Sequence, residues 1–139
     1  MAQQHSPRFV QIVEEAKSRV AEISAPELAA RLKSNNGEPS SKGEPSSNPR
    51  QSLIDVREAS EFAAGHIPTA QHLCKGIIER DIETLVPDPS TEIILYCGGG
   101  YRSALAADNL QKMGYRRVLS LAGGWRTWTE SNLPIEPSK

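Results

Sequence analysis

The stretch Cys97-Gly98-Gly99-Gly100-Tyr101-Arg102-Ser103 holds the residues of this chain best suited to covalent chemistry. It lies between a continuously apolar run, Ile93-Ile94-Leu95-Tyr96, and a helical pattern that begins near Ser103. Three glycines in a row leave a loop with no side chains to fill its inside. The backbone can then curl until successive N–H groups point at one spot. The following helix adds its own unpaired N–H groups and the positive end of its dipole. The atom at that spot is the Cys97 sulfur. Donors gathered around a sulfur favour thiolate over thiol, and the thiolate is the nucleophile. The same ring would hold an oxyanion, or a terminal sulfur carrying negative charge. Cys97 is therefore expected to be a catalytic nucleophile activated by an electrostatic cradle, without a neighbouring histidine as base. Gly98, Gly99, Gly100, Tyr101, Arg102 and Ser103 are expected to bind substrate, with Arg102 steering anions and Tyr101 shaping the rim.

Other polar residues have weaker claims. Arg57 follows a strand end and is a candidate anion contact. Its competing role is an ion pair with Glu61, four residues along, which the spacing favours. Asp55 is expected to anchor neighbouring backbone N–H groups. His66, between Gly65 and Ile67, reads as a hydrogen-bonding turn residue, and Trp125 and Trp128 as packing. Cys74 has no glycine cradle and only Lys75 as a local charge, so it reads as a packing residue. Its other possible roles are accepting sulfur from Cys97 or pairing with it in a disulfide. No Cys-x-x-Cys or His-x-x-x-His spacing occurs, and no metal or cofactor is implied.

The elements that position these residues follow from periodicity. Phe9, Ile12, Val13, Ala16 and Val20 share one helical face, an N-terminal helix over about residues 8–21 that packs on its own domain or on a second copy. Ser24-Ala25-Pro26-Glu27 reads as a capping box that starts a second helix. Then strand and helix alternate: strands at 52–56, 70–73, 93–96 and 118–121, helices at 59–64, 76–86, 103–113 and 125–131. Such alternation implies an α/β fold, a mostly parallel sheet covered by helices on both faces. Ligands of these sheets bind beyond the carboxyl ends of the strands, where Cys97 lies.

One segment stands apart. Of the 17 residues from Ser34 to Arg50, 13 are Ser, Asn, Gly or Pro and none is hydrophobic. It cannot bury enough apolar surface to offset chain entropy, so a mobile, inert insertion is expected. The expected organisation is a helical extension over 1–22 and a domain over 23–137, interrupted at 34–50. The length of 139 residues suits one domain. With 16 Lys+Arg against 17 Asp+Glu, the net charge of -1 argues against coating nucleic acid or anionic membrane. No apolar run reaches the ~20 residues of a membrane span, and the polar first ten residues hold no leader-like apolar block. A cytoplasmic location is expected.

Three motifs in order resemble the single-domain rhodanese family of sulfurtransferases: Leu53-Ile54-Asp55-Val56-Arg57-Glu58 with Glu61-Phe62 and Gly65-His66-Ile67-Pro68, then residues 93–103, then Val118-Leu119-Ser120-Leu121-Ala122-Gly123-Gly124-Trp125 with Trp128. The resemblance covers about residues 23–137. It implies a small doubly wound α/β domain and a two-step transfer. The Cys97 thiolate would take the outer sulfur of a small anionic donor such as thiosulfate. The resulting persulfide would pass it to cyanide, a thiol or a protein acceptor. The chain would act as a monomer or weak homodimer.

Three alternatives stand beside this. Cysteine-dependent phosphatases and arsenate reductases of related fold place five residues between Cys and Arg. Here only Gly98 to Tyr101 intervene, and the shorter ring suits a sulfur atom better than a phosphate. A binding module that lost its cysteine is disfavoured by the presence of Cys97. A persulfide carrier feeding another enzyme would use the same Cys97.

Overall fold

The computed structural model of the protein describes residues 5–36 and 51–136. In chain order its elements are α1 (Pro7–Lys17), β1 (Ala21–Ile23), α2 (Ala25–Asn36), β2 (Gln51–Asp55), α3 (Ala59–Ala64), β3 (Gln71–His72), α4 (Ile78–Leu85), β4 (Glu92–Tyr96), α5 (Tyr101–Lys112), β5 (Arg117–Leu121) and α6 (Gly124–Glu130). A single 3-10 turn, Lys75–Ile77, leads into α4.

The five strands form one parallel sheet in the order β1-β5-β4-β2-β3. The central strand β4 is continuously apolar because both its faces are covered: Ile93, Ile94, Leu95 and Tyr96 are fully buried. Its side chains alternate between two cores. Ile93 and Leu95 join Ile54, Ile78, Ile82, Leu110 and Val118, under α4 and α5. Ile94 and Tyr96 join Ile23, Leu28, Leu53 and Trp128, under α2 and α6. Each such aliphatic side chain contributes about 1.5–3 kcal/mol on burial. The register pairs Asp55 with Tyr96, Leu95 with Ser120 and Ile23 with Leu121. The carboxyl ends of β1, β2, β4 and β5 therefore share one edge of the sheet, and the residue after β4 is Cys97.

The fold is the expected α/β sheet with helices on both faces, and three local features differ from the sequence expectation. β1 was not foreseen. Three residues with a single buried side chain, Ile23, carry too little periodicity, and it is a strand because the outer edge of β5 offers partners. Residue 22, expected to end the extension, lies within it. Helix α2 runs on to Asn36, past Ser34, where the insertion was expected to begin. Residues 37–50, the rest of that segment, lie outside the described residues. Helix α5 starts at Tyr101, two residues early, because Gly100 caps it with φ 95°. The Ser24 cap is formed, its hydroxyl accepting the Glu27 N–H at 3.2 Å.

Helix α1 packs along α5 of its own domain. Val13 and Ala16 are buried on that side, while Ile12, at the edge of the apolar stripe, is exposed. Arg19 clamps Asp108 of α5 through Nε at 2.9 Å and Nη2 at 2.8 Å, and Gln111 donates to the Arg19 carbonyl at 2.9 Å.

Candidate active site

Cys97 continues the alternation of β4, so its side chain falls on the Ile93 and Leu95 face, toward α5. The chain then reverses direction across Gly98–Gly100 and enters α5. The left-handed φ of Gly100 turns its N–H onto the Cys97 Sγ at 3.1 Å, and the Ser103 N–H meets the same atom at 3.3 Å. The Ser103 hydroxyl lies 3.5 Å from Sγ and shares a 2.8 Å hydrogen bond with the Ser120 hydroxyl. Cys97 is 1% exposed and is among the residues lining a cleft of about 500 Å3.

The loop is held from outside by the start of α6. The Cys97 and Gly98 carbonyls accept the Trp125 N–H at 2.8 Å and the Arg126 N–H at 3.0 Å. With those carbonyls pulled outward, amides turn toward the sulfur. Gly124 makes this approach possible. Its φ is +55°, and a Cβ there would lie 2.9 Å from the Gly98 carbonyl oxygen, 3.0 Å from the Gly100 nitrogen, and overlap the Cys97 carbonyl. The Gly123-Gly124-Trp125 sequence is therefore part of the site. Its signal was legible as a glycine pair opening a helix, but which backbone that pair approaches was not.

Arg102 lies in the cleft, with Nη1 3.2 Å from Glu61 Oε1. Burial works against both charges. The mutual hydrogen bond outweighs it, holding the Glu61 carboxyl below its usual range and raising the Arg102 guanidinium. Sequence spacing alone pairs Glu61 with Arg57; the structure pairs it with Arg102. Tyr101 forms the rim, as expected, but it is not alone there. The His5 ring lies 4.3 Å and the Phe9 ring 5.8 Å from it, and the Lys17 Nζ sits 5.2 Å from its centroid. His5, Phe9 and Arg126 line the cleft and were missed as site residues. They lie outside the loop, and only the packing of α1 and α6 brings them to it.

Arg57, a candidate anion contact, is not among the residues lining the cleft. It is 3% exposed and forks onto Asp55, Nε to Oδ1 at 3.0 Å and Nη2 to Oδ2 at 2.8 Å. It also donates to the Gly65 carbonyl at 2.6 Å and stacks 4.5 Å over the Trp125 ring. The expected pairing with Glu61 gives way because the chain turns sharply after β2 and returns Arg57 onto its own strand end. Asp55 does anchor backbone, accepting the Arg57 N–H at 2.9 Å. Tyr96 sits beside this pair. Burial pushes its phenol up, and its oxygen accepts the Ile67 N–H at 3.0 Å. His66 hydrogen-bonds as expected but in an isolated antiparallel bridge to Glu136 rather than in a turn, with Nδ1 3.2 Å from the Phe62 carbonyl and the ring stacked on Phe62 at 3.9 Å. Trp128 is buried and donates to the Pro134 carbonyl at 2.7 Å. Cys74 is a half-buried free thiol outside the cleft lining. Among the described residues, no helix is long and apolar enough to cross a membrane.

A family model described as the Rhodanese-like domain matches residues 28–131. A sulfurtransferase of Allochromatium vinosum is 37% identical over 83 residues, covering 60% of this chain and 76% of that protein. The thiosulfate sulfurtransferase GlpE of Vibrio cholerae is 33% identical over 86 residues, covering 62% and 79%. YrkF of Bacillus subtilis, provisionally named a sulfur carrier protein, is 35% identical over 77 residues; the match covers 55% of this chain and only 40% of that protein. Among solved structures, a Rhodopseudomonas palustris protein of unknown function, named a possible tyrosine phosphatase, superposes with a TM-score of 0.75 at 27% identity over 98% of this chain and 99% of that one. The polysulfide-sulfur transferase homodimer of Wolinella succinogenes superposes with a TM-score of 0.70 at 27% identity, covering 93% and 87%.

Proposed function

The chain belongs to the rhodanese-like domain family, and on that premise we propose that it is a sulfurtransferase working through a persulfide on Cys97, with thiosulfate as donor and a thiol or cyanide as acceptor. The observation that carries this reading is the pair of backbone amides, Gly100 and Ser103, aimed at the Cys97 Sγ from 3.1 and 3.3 Å. Sulfurtransferase names among its relatives support the reaction class.

In the first step the Cys97 thiolate attacks the outer sulfur of thiosulfate. A Cys97 S–S bond forms, the donor S–S bond breaks, and sulfite leaves with the electron pair. In the second step a thiolate or cyanide attacks the outer sulfur, and the pair returns to Cys97. Sulfur carries the negative charge before and after each step, so fixed donors serve both states without rearranging. The amides of Gly98, Gly99, Tyr101 and Arg102 are the further donors proposed to meet the donor's oxygens, with Arg102 drawing the anion inward. The reaction needs no metal or cofactor, and we place it in the cytoplasm.

Intact mass after incubation with thiosulfate tests this. A gain of about 32 Da on Cys97 that cyanide removes is the expected covalent half-reaction. Cys97→Ser should fold and gain nothing. A full gain in that variant, or none in the parent with any sulfur donor, would sink the reading. The phosphatase alternative takes support from the Rhodopseudomonas neighbour's name. The four-residue spacing from Cys97 to Arg102 weighs against it. Turnover of an aryl phosphate, lost in Cys97→Ser, would reinstate it.

A further inference from the structure

Besides the Gly100 and Ser103 amides, a side-chain hydroxyl reaches the Cys97 sulfur. It belongs to Ser103, 3.5 Å away, and behind it stands the Ser120 hydroxyl of β5, 2.8 Å further on. The register sets Ser120 opposite Leu95, two residues past Val118 and on the same face of the sheet. Ser120 therefore points into the apolar core beneath α5, which Leu95, Ala107 and Val118 share. Both serines are fully buried. A buried hydroxyl costs stability unless it is hydrogen-bonded, and an alanine would occupy either place without that cost. Among the described residues, the Ser120 hydroxyl has Ser103 as its sole hydrogen-bond partner. Its orientation is thus tied to one atom, and that atom is the neighbour of the sulfur.

The hydrogens decide in which state this row of atoms is satisfied. A thiol and two hydroxyls carry three hydrogens for two contacts, Sγ to Ser103 Oγ and Ser103 Oγ to Ser120 Oγ. One hydrogen is left over. With the sulfur ionised, two hydrogens remain for the same two contacts, and none is left over. The direction is then fixed as well. A thiolate only accepts, so the Ser103 hydrogen turns to the sulfur. The hydrogen between the two oxygens must come from Ser120. Only hydroxyl hydrogens rotate between the two states; no heavy atom has to move.

We propose that Ser120 is a positioning residue for the nucleophile: it donates to Ser103 and so turns the Ser103 hydroxyl onto the ionised Cys97 sulfur. This rests on the sulfur-transfer reading and deepens it. In that reading the Cys97 sulfur must be a thiolate before it meets the donor, and it becomes one again when the acceptor takes the sulfane sulfur. Ser120 is not among the residues lining the cleft and touches no substrate. Its effect passes through Ser103, because a hydroxyl that accepts one hydrogen bond donates a stronger one. The loop supplies the amides and the neighbouring strand β5 supplies this last donor, so the thiolate is held from two elements of the fold.

The test follows alkylation of Cys97 by iodoacetamide as a function of pH in the full chain, with Cys97 resolved from the second free thiol, Cys74, by peptide mass. Ser120→Ala should move the midpoint of that profile up by about half a pH unit, which is about threefold less thiolate below the midpoint. Ser103→Ala removes the direct donor and should move it up by about one unit. With Ser103→Ala already in place, adding Ser120→Ala should move it no further. Thermal melts of the same variants separate packing from ionisation. A Ser120→Ala chain that changes its Tm and keeps the parental midpoint has lost packing alone, and that result overturns the proposal. An equal shift from Ser120→Ala with Ser103 already removed overturns it too, since the effect would not pass through Ser103. Alkylation needs no sulfur donor. A parent that gains no mass from any sulfur donor therefore overturns the sulfur-transfer reading, while the midpoints still decide the role of Ser120.

Discussion

Gly124→Ala should damage both stability and sulfur loading, and its size can be worked from the backbone. Gly124 sits at φ +55°, where an alanine costs about 1–2 kcal/mol. Its Cβ would lie 2.9 Å from the Gly98 carbonyl oxygen and 3.0 Å from the Gly100 nitrogen, and would overlap the Cys97 carbonyl. Those atoms are backbone and cannot swing aside as a side chain would, so α6 must move off the loop. The Trp125 to Cys97 and Arg126 to Gly98 hydrogen bonds, 2.8 and 3.0 Å, then lengthen or break. At about 1 kcal/mol each, the total reaches about 3–4 kcal/mol. For a chain of this size that is a fall of about 10–15 °C in Tm. Two other glycines separate the causes. Gly114 has φ +107° with no atom within 4 Å of its Cβ site, so Gly114→Ala should lose only the backbone share, about 3–7 °C. Gly76 has neither constraint, and Gly76→Ala should melt with the parent. Thermal melts of the three variants, with persulfide loading of each by mass, make the assay. If Gly124→Ala melts with Gly114→Ala and loads sulfur at the parental rate, the loop does not depend on α6 and the reasoning is refuted.

Removing Arg57 should be more costly than its place at a strand end suggests. Arg57→Ala leaves the fully buried Asp55 carboxylate without its partner and should lower stability by about 3–5 kcal/mol in urea unfolding; a loss under 1 kcal/mol would contradict the buried pair. Arg102→Ala should raise the KM for thiosulfate and flatten its dependence on ionic strength, and unchanged kinetics would take Arg102 out of anion steering. The hydrogen bond from Arg19 holds the Asp108 carboxyl below its usual range, with burial opposing and Lys112 assisting. A lowered folded-state value stabilises above the unfolded carboxylate range, near pH ~4, and the benefit disappears as pH falls through the folded value. Asp108→Asn should therefore be less stable than the parent at neutral pH, with the gap closing below pH ~4; a gap independent of pH would show the carboxylate charge is not what holds α1.

The helix Ala59–Ala64, the buried strand β4 and the glycine loop after it were all legible because their signals are local. Each is written in a few consecutive residues: an apolar run, a stop, a glycine cluster. β1 was not legible, since three residues become a strand only when β5 offers an edge. The ion pairs were misassigned for a related reason. Spacing of four residues joined Arg57 to Glu61, yet Glu61 meets Arg102, 41 positions away, and Arg57 folds back two positions onto Asp55.

The sequence by itself determined that strands and helices alternate, that a cysteine stands at a strand's carboxyl end, and that glycines free the backbone after it. These follow from side-chain shape and backbone freedom, which act over a few residues. The tertiary structure decided what surrounds that cysteine. α6 holds its loop open from behind, Glu61 takes up the charge of Arg102, and α1, ordered by its packing on α5, brings Phe9 and His5 to the rim. No local rule couples residues that far apart in the chain, because their proximity is set by how the helices pack on the two faces of the sheet.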